Sequence, residues 1–525
     1  MQTDQDHWKP KFNPWVIALT VTLATFMEVL DTSIANVALP HIAGGLSSGV
    51  DESTWVLTSY LVSNAVILPI SAWIADRVGR KRFYMSCVAL FTASSFLCGL
   101  APSLPMLIFF RVLQGAGGGG LAPSEQAILA DTFEPRKRGM AFAVYGMAVV
   151  LAPAIGPTLG GYITDNLSWR WIFYINVPIG ILSLLLTQRI VEDPPYLREA
   201  ARRSKGFRID YIGLGLVTVG LGALQVVLDK GQEDDWFGSP LIITFSVVAA
   251  AALLFFIFWE WREPHPVVNL RLFKARSFAI ASTLMFFLGA SLYGTTVLIP
   301  QFLQVLMGYT AQRSGEVLTP GALVIIVLLP LVGYLVARVD ARYLISFGFL
   351  ALALSMFHMT NLYLGVDFHT ATMFRVYQCM GLAFLFIPIN TISYLGVPAG
   401  ENNQVSGMIN LMRNVGGSVG ISGVTTLLAR RSQIHQDILV AHLDPANSTV
   451  QHFIAGLSQR LSAEVGSYQA NLQSYGHLYQ MVSQQAQMLA YVDTIWLVAV
   501  VCLALVPLVF LMRGLPPPGK PTMGH

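Results

Sequence analysis

Charge is what this chain has least of. Only 12% of its 525 residues are Asp, Glu, Lys or Arg, against about 25% in a soluble domain. The deficit excludes water as the main solvent of the folded surface. Cysteine is scarce as well: Cys87, Cys98, Cys379 and Cys502 lie far apart in apolar stretches, which excludes a disulfide framework. There is no phosphate-binding P-loop, because the one Gly-Lys pair, Gly519-Lys520, is followed by Pro521; ATP hydrolysis is excluded with it. No metal-ligand cluster, nucleophile elbow or pair of carboxylates stands on a water-facing loop. The chain is therefore read as no enzyme, with no metal and no cofactor. A net charge of +3 says little about partners, and no nucleic acid is expected among them.

What the chain has in quantity is apolar sequence, 54% of the total, cut into runs of the ~20 residues that cross a hydrocarbon core. Spans are expected near 14–39, 54–74, 83–100, 105–130, 139–163, 170–190, 210–229 and 239–260. Six more are expected near 277–306, 316–337, 342–362, 372–395, 405–428 and 493–513, about fourteen in all. The expected fold class is an all-α polytopic membrane protein. Lys9 and Lys11 precede the first run, but it is too long for a signal peptide, holds Glu28 and Asp31 and lacks a small-residue cleavage site. It is expected to stay as the first span. Lys and Arg collect in alternate loops, at Arg77, Arg80, Lys81 and Arg82, at Arg136, Lys137 and Arg138, and at Arg198, Arg202, Arg203, Lys205 and Arg208. That bias places both termini in the cytoplasm.

The second half echoes the first. "FRVLQGAG" at 110–117 aligns with "FRVYQCMG" at 374–381, and "AWIADRVGRK" at 72–81 with "GYLVARVDAR" at 333–342 at nearly the same offset. Spans 1–6 then match spans 9–14, and spans 7 and 8 are an insertion. The expected domains are a six-helix bundle over 1–190, a linker with two inserted helices over 191–270, and a second six-helix bundle over 271–525. Parallel six-helix repeats are a transporter architecture. The same comparison disposes of the G-x-G-x-x-G spacing at Gly115, Gly117 and Gly120. No strand precedes it, and small residues in a membrane helix serve close backbone approach.

Five stretches in order carry a resemblance: "LDTSIANVALP" (30–40), "ADRVGRKR" (75–82), "RVLQGAGGG" (111–119), "APAIGPTLGG" (152–161) and "WRWIFYINVPIG" (169–180). The chain resembles the major facilitator superfamily, and within it the fourteen-span drug:proton antiporters of the EmrB/QacA type. Ala72 stands where that pattern usually has Gly. The resemblance implies a proton-driven exporter of lipophilic compounds in the bacterial inner membrane, working by alternating access. It also implies a periplasmic membrane-fusion adaptor, EmrA-like, and an outer-membrane channel, TolC-like.

The candidate site residues follow from charge in unexpected places. Glu28 and Asp31 share a face of span 1. Asp31 and Arg111 lie about 12 and 9 Å from the outer ends of their spans and can meet. Asp31 then either carries a proton tuned by Arg111 or forms a permanent ion pair; Glu28 is a second carrier candidate. Glu125, near the inner end of span 4, is either a third carrier or a wetted helix-end charge. Arg375 and Arg413 are expected at a substrate cavity or in structural pairs, with Asn36 and Gln114 as further cavity candidates. The resemblance gives Asp76 and Arg80 a latching role on the cytoplasmic side. In span 5, Gly156 and Pro157, with Pro153, Gly160 and Gly161, suit either a gating helix or a structural kink.

The outer loop, 430–492, is long and rich in Gln and Ser. Ile454, Leu457, Leu461, Val465, Tyr468, Leu472, Tyr475, Tyr479, Val482, Ala486 and Leu489 alternate steps of three and four, the seam of packing helices. Gly466 and Gly476 interrupt it. Leu457, Leu461, Tyr468, Leu472 and Tyr475 are the candidate adaptor-docking residues, and a cap folded on the protein's own outer mouth is the alternative. Two rival functions stand beside drug export: a single-substrate exporter or importer on the same fold, and a non-transporting scaffold acting through this loop.

Overall fold

The computed structural model describes residues 10–134, 137–195, 197, 210–395, 397, 401–443 and 447–512, without the side chains of 50, 51, 154, 157, 311, 312 and 463–465. Among them there is no strand. Asn13 opens the first helix by accepting from the Trp15 amide, with Pro14 at the first helical position, where a missing N–H costs nothing. The long helices are α1 (Pro14–Gly45), α2 (Trp55–Val78), α3 (Arg80–Leu100), α4 (Leu104–Thr132), α5 (Arg138–Asn166) and α6 (Trp171–Ile190). Next come α7 (Tyr211–Lys230), α8 (Pro240–Arg262), α9 (Arg276–Val305), α10 (Ala311–Val336), α11 (Ala341–Met359) and α12 (Phe368–Ser393). The last three are α13 (Asn402–Ala441), α14 (Ser448–Val465) and α15 (Ser467–Val509).

Twelve of these helices are long and apolar enough to cross a membrane, and α5, bent by 42° between Pro153 and Thr158, makes a thirteenth. The remaining expected span, 405–428, is helical as α13 but too polar to join them. It turns Asn402, Asn403, Asn410 and Arg413 into the protein interior instead of toward lipid. Most of the basic turns expected at 136 and 198–208 lie outside the described residues. The face carrying the Arg77–Arg82 turn serves below as the reference face.

Packing repeats between the halves. The pairs α1–α5, α2–α4, α3–α4, α3–α6 and α1–α6 recur as α9–α13, α10–α12, α11–α12, α11–α15 and α9–α15. The halves meet through α5 on α10 and α12, and through α2 and α4 on α13. Helices α7 and α8 pack on each other, and α7 also lies against α2 and α13.

Gly115 and Gly117 let α4 sit between α2 and α3. A Cβ at Gly115 would fall 2.4 Å from the Tyr60 carbonyl oxygen, and one at Gly117 would fall 2.7 Å from the Phe91 amide nitrogen. They permit close helix contact, as small residues do in membranes.

The segment 430–492 is helical almost throughout. Helix α13 runs on to Ala441, and α14 folds back on the start of α15 around Gly466, whose φ of +79° is open to glycine. Gly476 does not break α15. At 1.5 Å per residue the 43 residues of α15 reach about 64 Å, roughly twice a hydrocarbon core. Helices α13, α14 and α15 therefore project as a stalk from the face opposite the reference face.

Candidate functional site

Three carboxyls from α1 and α4 occupy three different environments. Asp31 is enclosed, at 2% exposure. Its Oδ2 accepts from an Arg111 guanidinium nitrogen at 2.6 Å, and its Oδ1 accepts from Gln114 Nε2 at 3.0 Å and Asn176 Nδ2 at 2.7 Å. Ser95 Oγ accepts from both amides and donates to the Phe173 carbonyl. Arg111 also donates to Gln114 Oε1 at 2.7 Å and the Val56 carbonyl at 3.0 Å, and its guanidinium lies 4.4 Å from the Tyr60 ring centroid. Residues of α1, α2, α3, α4 and α6 thus close one network around the Asp31–Arg111 pair. Gln114, expected at a substrate cavity, is fully buried inside this network and offers a substrate no surface; the reason is the carboxylate it serves. Asn36 is exposed, with its amide on its own helix at Thr32.

Glu28 points elsewhere despite sharing a helix face with Asp31. Its Oε1 accepts from Tyr60 OH at 3.2 Å and Asn64 Nδ2 at 3.0 Å, and Asn64 in turn accepts from Asn414 of α13 across the junction of the halves. Glu125 is fully buried, not a wetted helix end. Thr22 donates to its Oε1 at 2.7 Å and Thr25 donates to its Oε2. Among the described residues neither Glu28 nor Glu125 has a cation within ion-pair distance.

The second half carries the opposite imbalance. Arg375 and Gln378 repeat Arg111 and Gln114, but Thr295 stands where the repeat offset would place a counterpart of Asp31. Gln378 donates to Thr295, and Arg375 donates to Gln378 at 2.7 Å and to Thr296 at 3.2 Å. Arg413 donates to Tyr145 OH of α5 at 3.3 Å and lies 5.8 Å from the Phe386 ring centroid. No carboxylate among the described residues pairs with either arginine.

At the reference face the halves are tied by polar side chains. Arg80, 2% exposed, pairs with Asp131 at the end of α4 and donates to the Ala127 carbonyl and, at 2.6 Å, to Asn403 Oδ1. Asn403 donates to Asp76, and Asn402 donates to Asp131. Higher in the junction, Gln126 and Asn410 exchange hydrogen bonds at 3.3 and 2.9 Å. Asp131, Asn402 and Asn403 escaped the sequence reading. Asp131 stands just before the basic turn at 136–138, a usable signal; the asparagines, uncharged and distant in sequence, gave none. In α5, a Cβ on Gly156 would fall 2.2 Å from Ser33 Oγ of α1; the Pro157 side chain lies outside the described residues.

In the stalk, Ile454 is buried, and Leu457 and Leu461 on the same helix face are half-buried. Ala470 and Ser474 are fully buried where α14 returns on α15. Tyr468, Leu472, Tyr475 and Tyr479 are 56–78% exposed. The seam therefore divides: its first part lies inside the hairpin, its residues from Tyr468 to Tyr479 are exposed, and Val482 and Ala486 beyond them are buried again, while the Val465 side chain lies outside the described residues.

Known proteins share this design. The multidrug export protein EmrB of Escherichia coli K12 is 37% identical over 499 residues, 95% of each chain. The fatty acid resistance protein FarB of Neisseria gonorrhoeae is 37% identical over 512 residues, 97% of this chain and 98% of its own. In fold, the human organic anion transporter MFSD10 matches with a TM-score of 0.57 at 13% identity, over 79% of this chain and 94% of its own. The model of the Major Facilitator Superfamily matches residues 21–421. With its two halves of matching helix pairs, its buried Asp31–Arg111 pair and these relatives, the chain belongs to the major facilitator superfamily.

Proposed function

We propose that the protein is a proton-coupled multidrug exporter of the bacterial inner membrane, with both termini in the cytoplasm. It alternates access between a bundle at 1–190 and a bundle at 271–525, with the two helices of 191–270 as an insertion. The relatives are named for multidrug export and fatty acid resistance, which supports lipophilic substrates, neutral or weakly anionic. Arg413, buried at the junction of the halves with no carboxylate within ion-pair distance among the described residues, suits the anionic head of such a compound.

The observation that carries the proton half of the reading is Glu125, a buried carboxyl held by two hydroxyls and, among the described residues, by no cation. An ionisable group placed so inside a membrane marks a proton path by default. Glu28 lies on the same helix as the donors Thr22 and Thr25 and faces the junction, so protons pass between the junction and Glu125 by way of these two acids. Asp31 and Arg111 hold the bundle together and keep their charges. Asp76, Arg80, Asp131, Asn402 and Asn403 latch the cytoplasmic side, and Gly156 and Pro157 shape the gating helix.

At 150 mV each proton supplies about 3.5 kcal/mol, enough for a gradient of several hundredfold per neutral molecule exported. The exposed stripe from Tyr468 to Tyr479 is the docking surface for a helical periplasmic adaptor, which leads on to an outer-membrane channel. Leu457 and Leu461 support it from inside the hairpin.

The test is reconstitution in liposomes with an internal pH dye and an imposed proton gradient. Lipophilic drugs added to wild type should drive proton movement that Glu125→Gln abolishes. Drug movement that proceeds equally without a proton gradient would reject proton coupling.

A further inference from the structure

Helices α7 and α8 are joined at the reference face by two carboxyls that no transport step uses. Asp210 caps α7: its Oδ1 accepts from the Gly213 amide at 2.8 Å and from Trp259 Nε1 of α8 at 3.0 Å. Its Oδ2 is buried without a hydrogen-bond partner. Glu260, one helix position beyond Trp259, is 1% exposed, and its oxygens have no side-chain partner, with only the backbone of Val267 and Val268 beside them. The oxygens converge over Gly213, where a Cβ would fall 2.3 Å from Asp210 Oδ2 and 2.6 Å from Glu260 Oε1.

The cations on the surrounding elements are engaged elsewhere. Arg262 lies 3.9 Å from the Phe258 ring centroid, Lys274 lies 5.4 Å from that of Trp261, and Arg271 donates to the Glu263 carbonyl. Arg77 of α2 lies over Trp73. The acids nearby are Glu263, Asp76, which accepts from Asn403, and Glu401, which accepts from Asn269. Among the described residues no Lys, Arg or His lies within ion-pair distance of Asp210 or Glu260.

Two adjacent buried carboxylates with no counter-ion among the described residues do not both stay ionised. Among the described residues no third His, Cys, Asp or Glu joins the two carboxyls to make a metal-binding cluster. We propose that Asp210 and Glu260 form an acid pair that binds one proton between them, a site separate from Glu28 and Glu125. The proton comes from water at the reference face and leaves the same way; no other bond changes. The site sits at a joint. The segment after α8 buries Val267 and Val268, receives Gln404 on the Val267 carbonyl and gives the Asn269 amide to Gln404. Gln404 is the neighbour of the latch residues Asn402 and Asn403, so the proton holds together the corner from which α13 starts.

The test compares the full-length protein, purified in detergent, with Glu260→Gln and with Asp210→Asn, which keeps the helix cap. Both variants mimic the proton-bound pair. Groups that titrate in all three proteins cancel in the difference of Tm. Wild type should match the variants in acid and fall below them by a few degrees as pH rises. Infrared difference spectra should show a buried protonated-carboxyl band that Glu260→Gln removes. A wild type more stable than Glu260→Gln by the same margin at every pH would overturn the proposal. So would a Tm that sodium or magnesium raises in wild type alone. Arg208 stands two residues before Asp210, and an Arg208→Gln variant that behaves like Glu260→Gln would reveal an ion pair in place of the shared proton.

Discussion

Asp31 and Glu125 are both buried acids, and what separates them is a guanidinium. Asp31 has one at 2.6 Å and two amide donors besides, so removing its charge strands Arg111 in the interior. Asp31→Asn is expected to cost about 3–5 kcal/mol of stability, read as a lower Tm and reduced yield of folded protein. Glu125→Gln keeps an oxygen for Thr22 or Thr25 and strands no charge, so it should fold as wild type and lose proton coupling. A Tm series on both variants, with transport on the folded one, checks the pair. The sequence brought Asp31 and Arg111 to one depth, and that meeting was legible from helix rise alone. Whether Asp31 serves as a carrier or as a permanent pair was not. That choice rests on Gln114, Asn176 and Ser95, which arrive from α4, α6 and α3 and have no charge to announce them.

Among the elements, α5 carries two glycines with opposite expectations. Gly156→Ala would set a methyl 2.2 Å from Ser33 Oγ, where α1 and α5 cross, whereas Gly161 has nothing within 4 Å of a Cβ. Gly156→Ala should lower Tm and transport, and Gly161→Ala should leave both within error, its alanine being the better helix former. The stalk is the other telling element. Its heptad spacing was legible, but spacing cannot say which partner a seam faces. The small residues Ala470 and Ser474 decide it by letting α14 lie close on α15, which consumes Leu457 and Leu461 and leaves Tyr468, Leu472, Tyr475 and Tyr479 outward. Tyr475→Asp combined with Leu472→Asp should abolish capture of the adaptor by the pump. Drug-driven proton movement in liposomes should persist in that variant. Loss of both together would mean that the stripe supports the pump's own fold.

For the whole molecule, the repeat between 110–117 and 374–381 foretold the pairing of helices in both halves, because a shared fold preserves an offset. The polar tie between the halves was only half legible. Asp76 and Arg80 stood out as charges at a helix junction, while their partners Asn402 and Asn403 are uncharged and stand just before the expected span at 405–428. Arg80→Ala removes the ties to Asp131, Ala127 and Asn403 at once. It should raise thiol labelling of a cysteine placed at Asn410 from the reference face and slow the return of the empty transporter. The central claim, proton-for-drug exchange through unpaired acids, is tested most directly by adding drug to purified protein in weak buffer with a pH dye. Wild type should release protons on binding drug, Asp31→Asn should do so wherever it folds, and Glu125→Gln should release fewer or none. Equal release from wild type and from a variant lacking both Glu28 and Glu125 would contradict the account.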